Sequence, residues 1–258
     1  MIELKNIDCG YGRKKVLNNV SVTIKAGEFT CLLGENGVGK TTLFKTILGL
    51  LPVMNGKINY DCKFHTRFSE EDFARFISYV PQAHNTPFPC SVLDVVLMGQ
   101  FVHSSGYFKR PDTKNLAIAQ WSIELLGIQK LAYRNFSELS GGEKQMALIA
   151  RAVAQQPKFI AMDEPTSNLD MGNQTRVMQV ASRLKDKGYG IIMNTHSPQH
   201  ALQYADHVIL LQNGKVKASG FPSEVLNSNS ISSLYATPLE VVDAYSCNGQ
   251  KHKVLLTL

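Results

Sequence analysis

The sequence predicts an α/β fold with three parts: a core built on a parallel sheet, an antiparallel β subdomain at the N-terminus and a helical subdomain inserted into the core. Three observations carry this reading. The apolar run Phe29-Thr30-Cys31-Leu32-Leu33 leads through a glycine-rich loop into the helical segment Thr41–Leu48. A second apolar run, Phe159-Ile160-Ala161-Met162, ends in the carboxylate pair Asp163-Glu164. Between them, from about Ala83 to Gln156, strand-like patterning gives way to helical segments with start and stop signals.

The elements follow in order. Ile2–Ile7 and Val16–Ile24 alternate apolar and polar residues, as antiparallel strands do, and flank a turn at Gly10-Tyr11-Gly12. The glycine loop's strand and helix come next, the helix ending at Gly49. Lys57–Tyr60 and Phe76–Val80 read as further strands. Ser91–Gln100 reads as one helix, with Ser91 as N-cap and Asp94 in a capping-box position. Asp112–Leu126 is a second helix, ending at Gly127, and Glu143–Gln155 a third, stopped by Pro157. Lys158–Met162 and Gly190–Asn194 read as buried parallel strands with the helix Asn173–Lys187 between them. His207–Leu211 and Lys215–Ala218 form a hairpin across Asn213-Gly214. No repeat or long linker interrupts this order. The chain therefore reads as a single domain over 1–258, with 83–156 as the helical subdomain and 221–258 as a short C-terminal extension.

Composition narrows the function classes. With 258 residues, 44% hydrophobic and 19% charged, the chain can bury a sizeable core. No apolar run approaches the ~20 residues of a membrane helix. Met1-Ile2-Glu3-Leu4-Lys5 shows no signal-peptide pattern. Cys9, Cys31, Cys62, Cys90 and Cys247 are odd in number and scattered, without a CxxC pair, so neither a zinc site nor a disulfide framework is indicated. The net charge of +6 is spread out, with Arg13-Lys14-Lys15 the one tight cluster. A solvated basic face fits this better than a nucleic-acid surface.

Chemistry is concentrated in three segments. Gly34-Glu35-Asn36-Gly37-Val38-Gly39-Lys40-Thr41, followed by Thr42, sits between a strand and a helix, which is the context of a phosphate-binding loop. Gly34, Gly37 and Gly39 let the backbone aim its N–H groups at one point, and the helix N-terminus adds partial positive charge. Lys40 can reach the β- and γ-phosphates of a nucleotide, and Thr41 can give its hydroxyl to Mg²⁺. The second segment delivers Asp163 to a strand's carboxyl end, where it can bind Mg²⁺. Glu164, one residue on, is placed to polarise a water for attack on the γ-phosphate. Taken alone, the same pattern would also suit a helix N-terminus with acidic residues. In the third segment, Ser140-Gly141-Gly142-Glu143 precedes a helix and offers a hydroxyl, open N–H groups and a helix dipole. It also reads as a capping box, with Glu143 reaching back to Ser140. One nucleotide loop and two anion sites per chain are reconciled by a head-to-tail dimer.

These segments together, with Leu139-Ser140-Gly141-Gly142-Glu143 ahead of Phe159-Ile160-Ala161-Met162-Asp163-Glu164-Pro165-Thr166-Ser167-Asn168-Leu169-Asp170, resemble the ATP-binding-cassette (ABC) ATPases over nearly the whole chain. The resemblance implies a P-loop ATPase core, ATP with Mg²⁺, and ATP hydrolysis. It also implies further roles. Tyr11 would stack on adenine, and Gln82 would touch Mg²⁺ and the attacking water. Ser167, Asn168, Leu169 and Asp170 would form the loop that crosses the dimer interface, and His196 would contact the γ-phosphate. Two departures are small: Glu143 stands where the family usually has Gln, and Asn168 where it more often has Ala or His.

One cassette with no membrane span resembles the separate motor subunit of a prokaryotic importer. Pro87–Gly99 and the short tail after Gly220-Phe221-Pro222 are similar to importers of metal chelates such as ferric siderophores, haem or cobalamin. The partners so implied are a second copy of the chain, polytopic permease subunits at the cytoplasmic face of the cell membrane and, indirectly, a substrate-binding protein, with no nucleic acid. A zinc or manganese importer, an exporter, a non-transport ABC ATPase and a non-hydrolysing ATP sensor are the alternatives. Phe88, between two prolines, is expected to join the start of the Ser91–Gln100 helix in receiving a permease helix.

Overall fold

The computed structural model describes residues 1–61, 63–64, 69–82, 90–103, 112–247, 249 and 251–257. Phe88, Cys62 and the Ala83 end of the helical segment lie outside them. The order begins β1 (Ile2–Tyr11), β2 (Lys14–Ile24), β3 (Phe29–Gly34), α1 (Lys40–Ile47), β4 (Asn55–Tyr60), β5 (Lys63–Phe64), α2 (Glu70–Phe76) and β6 (Ile77–Val80). It continues with α3 (Val92–Leu97), α4 (Thr113–Leu125), α5 (Gly141–Ala154), β7 (Phe159–Asp163), α6 (Met171–Asp186) and β8 (Gly190–Asn194). The last elements are α7 (Pro198–Tyr204), β9 (His207–Gln212), β10 (Lys215–Gly220), α8 (Pro222–Val225), α9 (Ser228–Tyr235), β11 (Leu239–Tyr245) and β12 (Lys251–Thr257). The chain divides into two compact units, Met1–Thr66 with Ile192–Leu258, and Arg67–Ile191.

In the first unit an antiparallel sheet has the order β2-β1-β4-β5. Its inner face is apolar, with Ile2, Leu4, Ile7, Leu17, Val20 and Ile24 buried. Burying each such side chain is worth roughly 1.5–3 kcal/mol. The register shifts three times between Leu4 and Gly10, and the bends use Asn6 and Asn19, both at positive φ, a region asparagine tolerates. Both strands run further toward the turn than the alternation predicts. At their shared end Gly10 is required, because a Cβ there would stand 2.0 Å from the Lys14 carbonyl oxygen.

The same unit holds the parallel pair β3–β9, in register from Thr30↔His207 to Gly34↔Leu211. At its edge β10 pairs antiparallel with β9. The turn between them has Asn213 and Gly214 both at positive φ, as a two-residue hairpin loop demands. The β8 end lies beside β3, where the Thr195 N–H donates to the Leu32 carbonyl at 3.2 Å. At the far end of α1, the Tyr60 hydroxyl donates to the Ile47 carbonyl at 2.8 Å, satisfying one of the helix's open carbonyls.

In the second unit β6 and β7 pair in parallel from Ile77↔Phe159 to Val80↔Met162, and the Gly190 N–H donates to the Lys158 carbonyl at 3.0 Å. Phe76 and Phe159 pack with ring centroids 5.2 Å apart. Helix α5 is buried on nearly every side. One correction arises here. Ser91–Gln100 is not a single α-helix: α3 ends at Leu97 and a 3₁₀ segment runs from Met98 to His103. The tightening coincides with a close crossing, since a Cβ on Gly99 would stand 2.2 Å from the Arg151 carbonyl oxygen. Gln100 donates to the Ala154 carbonyl and accepts from Asn115, so its polar head is satisfied inside the helical packing. The Ser91–Asp94 capping box is present as expected.

Among the described residues Cys9, Cys31, Cys90 and Cys247 are free thiols, and no helix is long and apolar enough to cross a membrane.

Candidate nucleotide site

In the first unit the phosphate-loop residues form the turn between β3 and α1. Helix α1 starts at Lys40, one residue earlier than the sequence suggests. Its N-cap, Gly39, has φ 109 and no side-chain cap, and a helix N-terminus favours an anion. Gly37 also takes positive φ. Lys40 is buried, and its ammonium is held by the loop's own carbonyls, 2.7 Å from Gly34 O and 2.9 Å from Glu35 O. Asn36 and Thr41 are exposed, Val38 is half-buried and Thr42 is buried. Gly39 tolerates no side chain. A Cβ would stand 2.9 Å from Leu17, in a backbone conformation that L-residues avoid. Gly39→Ala is expected to cost roughly 1–3 kcal/mol of stability, read as a lowered melting temperature, and to abolish binding of a fluorescent ATP analogue.

Tyr11, exposed at 50%, ends β1 at the turn of the β1–β2 hairpin. The hairpin is fixed by Asp8, whose carboxylate accepts from Lys15 Nζ at 2.7 Å and Asn19 N at 2.8 Å. Those bonds hold the Asp8 carboxyl below its ordinary range. His196, exposed, follows β8, and its carbonyl accepts from the Tyr235 hydroxyl at 2.7 Å.

In the second unit Asp163 ends β7 and Glu164 follows, both half-buried. Tyr79 OH lies 3.4 Å from the Asp163 carboxylate. Burial, with the nearby Asp163 charge, pushes the Tyr79 phenol up, so it remains a donor. Glu164 sits at φ 45, which a non-glycine residue adopts only when its surroundings enforce it. The enforcement is local: Ser167 Oγ donates to Glu164 Oε2 at 3.0 Å, and Ser167 N donates to Glu164 O at 3.1 Å. Asn168 is likewise at positive φ, Leu169 is half-buried, and Asp170 caps α6 by accepting from Asn173 N at 2.9 Å. Gln82 is half-buried, two residues beyond β6.

Helix α5 begins at Gly141, two residues earlier than the pattern suggests, with Ser140 as N-cap. Glu143 closes the box, accepting from Ser140 N at 2.9 Å and Oγ at 2.8 Å. The two glycines differ. A Cβ on Gly142 would collide with the Asn173 side chain at 2.4 Å, so this glycine serves the packing of α5 against α6. Gly141 is exposed, with only Leu169 at van der Waals distance. The bonds from Ser140, then Arg134, hold the Glu143 carboxyl below its ordinary 4.5. A carboxylate whose folded pKa is depressed contributes stability above its unfolded pKa and loses it as pH falls through the folded value. Glu143→Gln should therefore flatten the stability–pH curve below about pH 4.5, measured by denaturant titration, and leave its slope above that unchanged.

The ABC transporter family model matches residues 17–167, more than half of the chain. The "probable iron chelatin transport ATP-binding protein" of Helicobacter pylori is 33% identical over 94% of this chain and 95% of its own. The manganese transport system ATP-binding protein of Bacillus subtilis is 36% identical over 83% of this chain and 84% of its own. A solved structure described as an inward-facing conformation of a metal-chelate type ABC transporter superposes with a TM-score of 0.87 at 31% identity, covering 99% of this chain and 97% of that one. The chain belongs to the ABC transporter family, with its α/β ATP-binding fold. Within that family it is an ATP-binding, ATP-hydrolysing subunit, and the two relatives are named as ATP-binding proteins of iron-chelatin and manganese transport.

Proposed function

We propose that this chain is the ATPase motor of a metal-chelate importer, carrying a ferric siderophore, haem or a similar chelate. The single observation behind the cargo class is the near-complete superposition on the metal-chelate type transporter. The manganese relative, of similar identity over a smaller share of the chain, favours free Mn²⁺ as the second reading.

The proposed chemistry uses the residues described. The Gly34–Thr42 backbone cradles the phosphates, and Lys40 leaves the Gly34 and Glu35 carbonyls for the β- and γ-phosphates. Thr41, Asp163 and Gln82 would hold Mg²⁺: hydroxyl, carboxylate and amide oxygens are the hard donors this ion takes, and Thr41 is exposed in the first turn of α1. When bound, that ion neutralises charge on the phosphate oxygens. Glu164 polarises the attacking water, held in place by Ser167, while His196 contacts the γ-phosphate and Tyr11 stacks on adenine. Ser140, Gly141, Gly142 and Glu143 complete the site of a second copy of the chain, and the Ser167–Asp170 loop crosses between the copies. ATP closes this dimer only to the extent that it binds the closed state more tightly. Closure is passed to polytopic permease subunits at the membrane's cytoplasmic face, which receive the chelate from a binding protein.

Affinity capture of the tagged chain from detergent-solubilised membranes of its own cells tests the assignment. The expected result is a complex with two copies of this chain, whose hydrolysis stops on EDTA and returns with Mg²⁺. Failure to assemble with any polytopic protein would contradict it.

A further inference from the structure

We propose that the C-terminal extension, 221–258, holds the loop that carries His196, and that Tyr235 is the positioning residue through which it acts. This rests on His196 contacting the γ-phosphate. All the groups involved belong to the first unit.

The loop between β8 and α7 is short, from Thr195 to Ser197. At its centre the His196 carbonyl accepts from Tyr235 OH at 2.7 Å, across 39 residues of sequence. The bond is made to the backbone, so it fixes the direction of the His196 Cα–Cβ bond without using the imidazole. Burial pushes the Tyr235 phenol up to about 12, so the hydroxyl stays protonated and donating at physiological pH.

A second tie lies one turn further on. Gln199, in α7, donates from Nε2 to the Lys253 carbonyl at 3.2 Å and accepts at Oε1 from Leu255 N at 3.0 Å. Its amide thus takes the place of a neighbouring strand along β12. The α7 N-cap is Ser197, which accepts from His200 N at 3.3 Å, so the residue after His196 is tied to the same first turn of α7 that carries Gln199.

The extension is stiff enough to act as an anchor. Strands β11 and β12 pair in unbroken register from Leu239↔Thr257 to Tyr245↔Lys251. Ser232 Oγ donates to Leu239 O and accepts from Leu239 N, each at 2.9 Å, and Ser228 Oγ accepts from Val241 N at 3.0 Å. Helix α9 is thereby fastened to the hairpin, and Tyr235 is its last residue. The loop is held at His196 by the helix and at Gln199 by the hairpin.

The test is Tyr235→Phe in the full chain, which removes the hydroxyl and keeps the ring, compared with Gln199→Ala, His196→Ala and the double variant Tyr235→Phe/His196→Ala. Loss of one hydrogen bond is expected to lower kcat about 5-fold or more. KM for ATP should stay within about twofold, and the melting temperature should fall by no more than about 2–4 °C. Gln199→Ala should show the same split. In single-turnover hydrolysis the Tyr235→Phe change should have no further effect once His196 is alanine, because it acts through that residue. An unchanged kcat in both Tyr235→Phe and Gln199→Ala would overturn the inference. So would a kcat loss that merely tracks a loss of melting temperature, or an equal loss in the His196→Ala background. Unimpaired turnover in His196→Ala alone would instead refute the role of His196 on which the inference rests.

Discussion

Glu164→Gln is expected to retain ATP binding and to lose steady-state hydrolysis by roughly 10²–10⁴-fold, the usual worth of general-base help. The substitution keeps the size of the side chain and its ability to hydrogen-bond Ser167 while removing the base. Glutamine is no more strained than glutamate at φ 45, so the backbone turn after β7 should persist and the melting temperature should hold. With the γ-phosphate retained, the ATP-bound dimer should accumulate and be visible by light scattering. Near-wild-type hydrolysis would remove Glu164 from the base role.

Ser140→Arg is expected to abolish hydrolysis while a single chain still binds ATP. A bulky cation at the start of α5 would obstruct the nucleotide held by the other copy. The substitution also removes the Ser140 side-chain cap of α5, worth about 1 kcal/mol, so Ser140→Ala serves as the control that loses the cap without adding bulk. Mixing Ser140→Arg chains with Lys40→Ala chains sharpens the test. If Ser140 acts on the opposite copy, mixed pairs hold one site with both defects and one with none, and single-turnover hydrolysis should exceed that of either variant alone. Loss of ATP binding in isolated Ser140→Arg would place the serine in its own chain's pocket.

How far the sequence reveals this molecule depends on how local each signal is. The glycine loop, the Ser140–Glu143 and Ser91–Asp94 boxes and the Asn213-Gly214 hairpin are encoded within a few residues, and all four are present. Helix α5 starts earlier than expected because its capping box runs straight into the glycines. Helices α2, α7, α8 and α9 escape notice because they are four to eight residues long, too short for a 3.6-residue period to emerge. The 3₁₀ turn at Met98–His103 follows from a crossing with α5 some fifty residues away, which no local pattern contains. The bond from Tyr235 to His196 has the same character. It is set by tertiary packing, and a tyrosine in a serine-rich helix carries no sign of its partner. The candidate site residues are proposed from their resemblance to a family, whereas the elements that hold them in place carry no such signal.

ATP-driven uptake by the reconstituted complex tests the central claim most directly. Proteoliposomes containing the permease and this chain, supplied with the cognate binding protein and radiolabelled ferric siderophores, haem or Mn²⁺, would be assayed with wild-type and Glu164→Gln subunits. The account predicts accumulation of a metal chelate that requires ATP, works with the wild-type subunit and is lost with Glu164→Gln. Accumulation of free Mn²⁺ alone would contradict the proposed cargo, and uptake that proceeds equally with Glu164→Gln would contradict the claim that this chain is the motor.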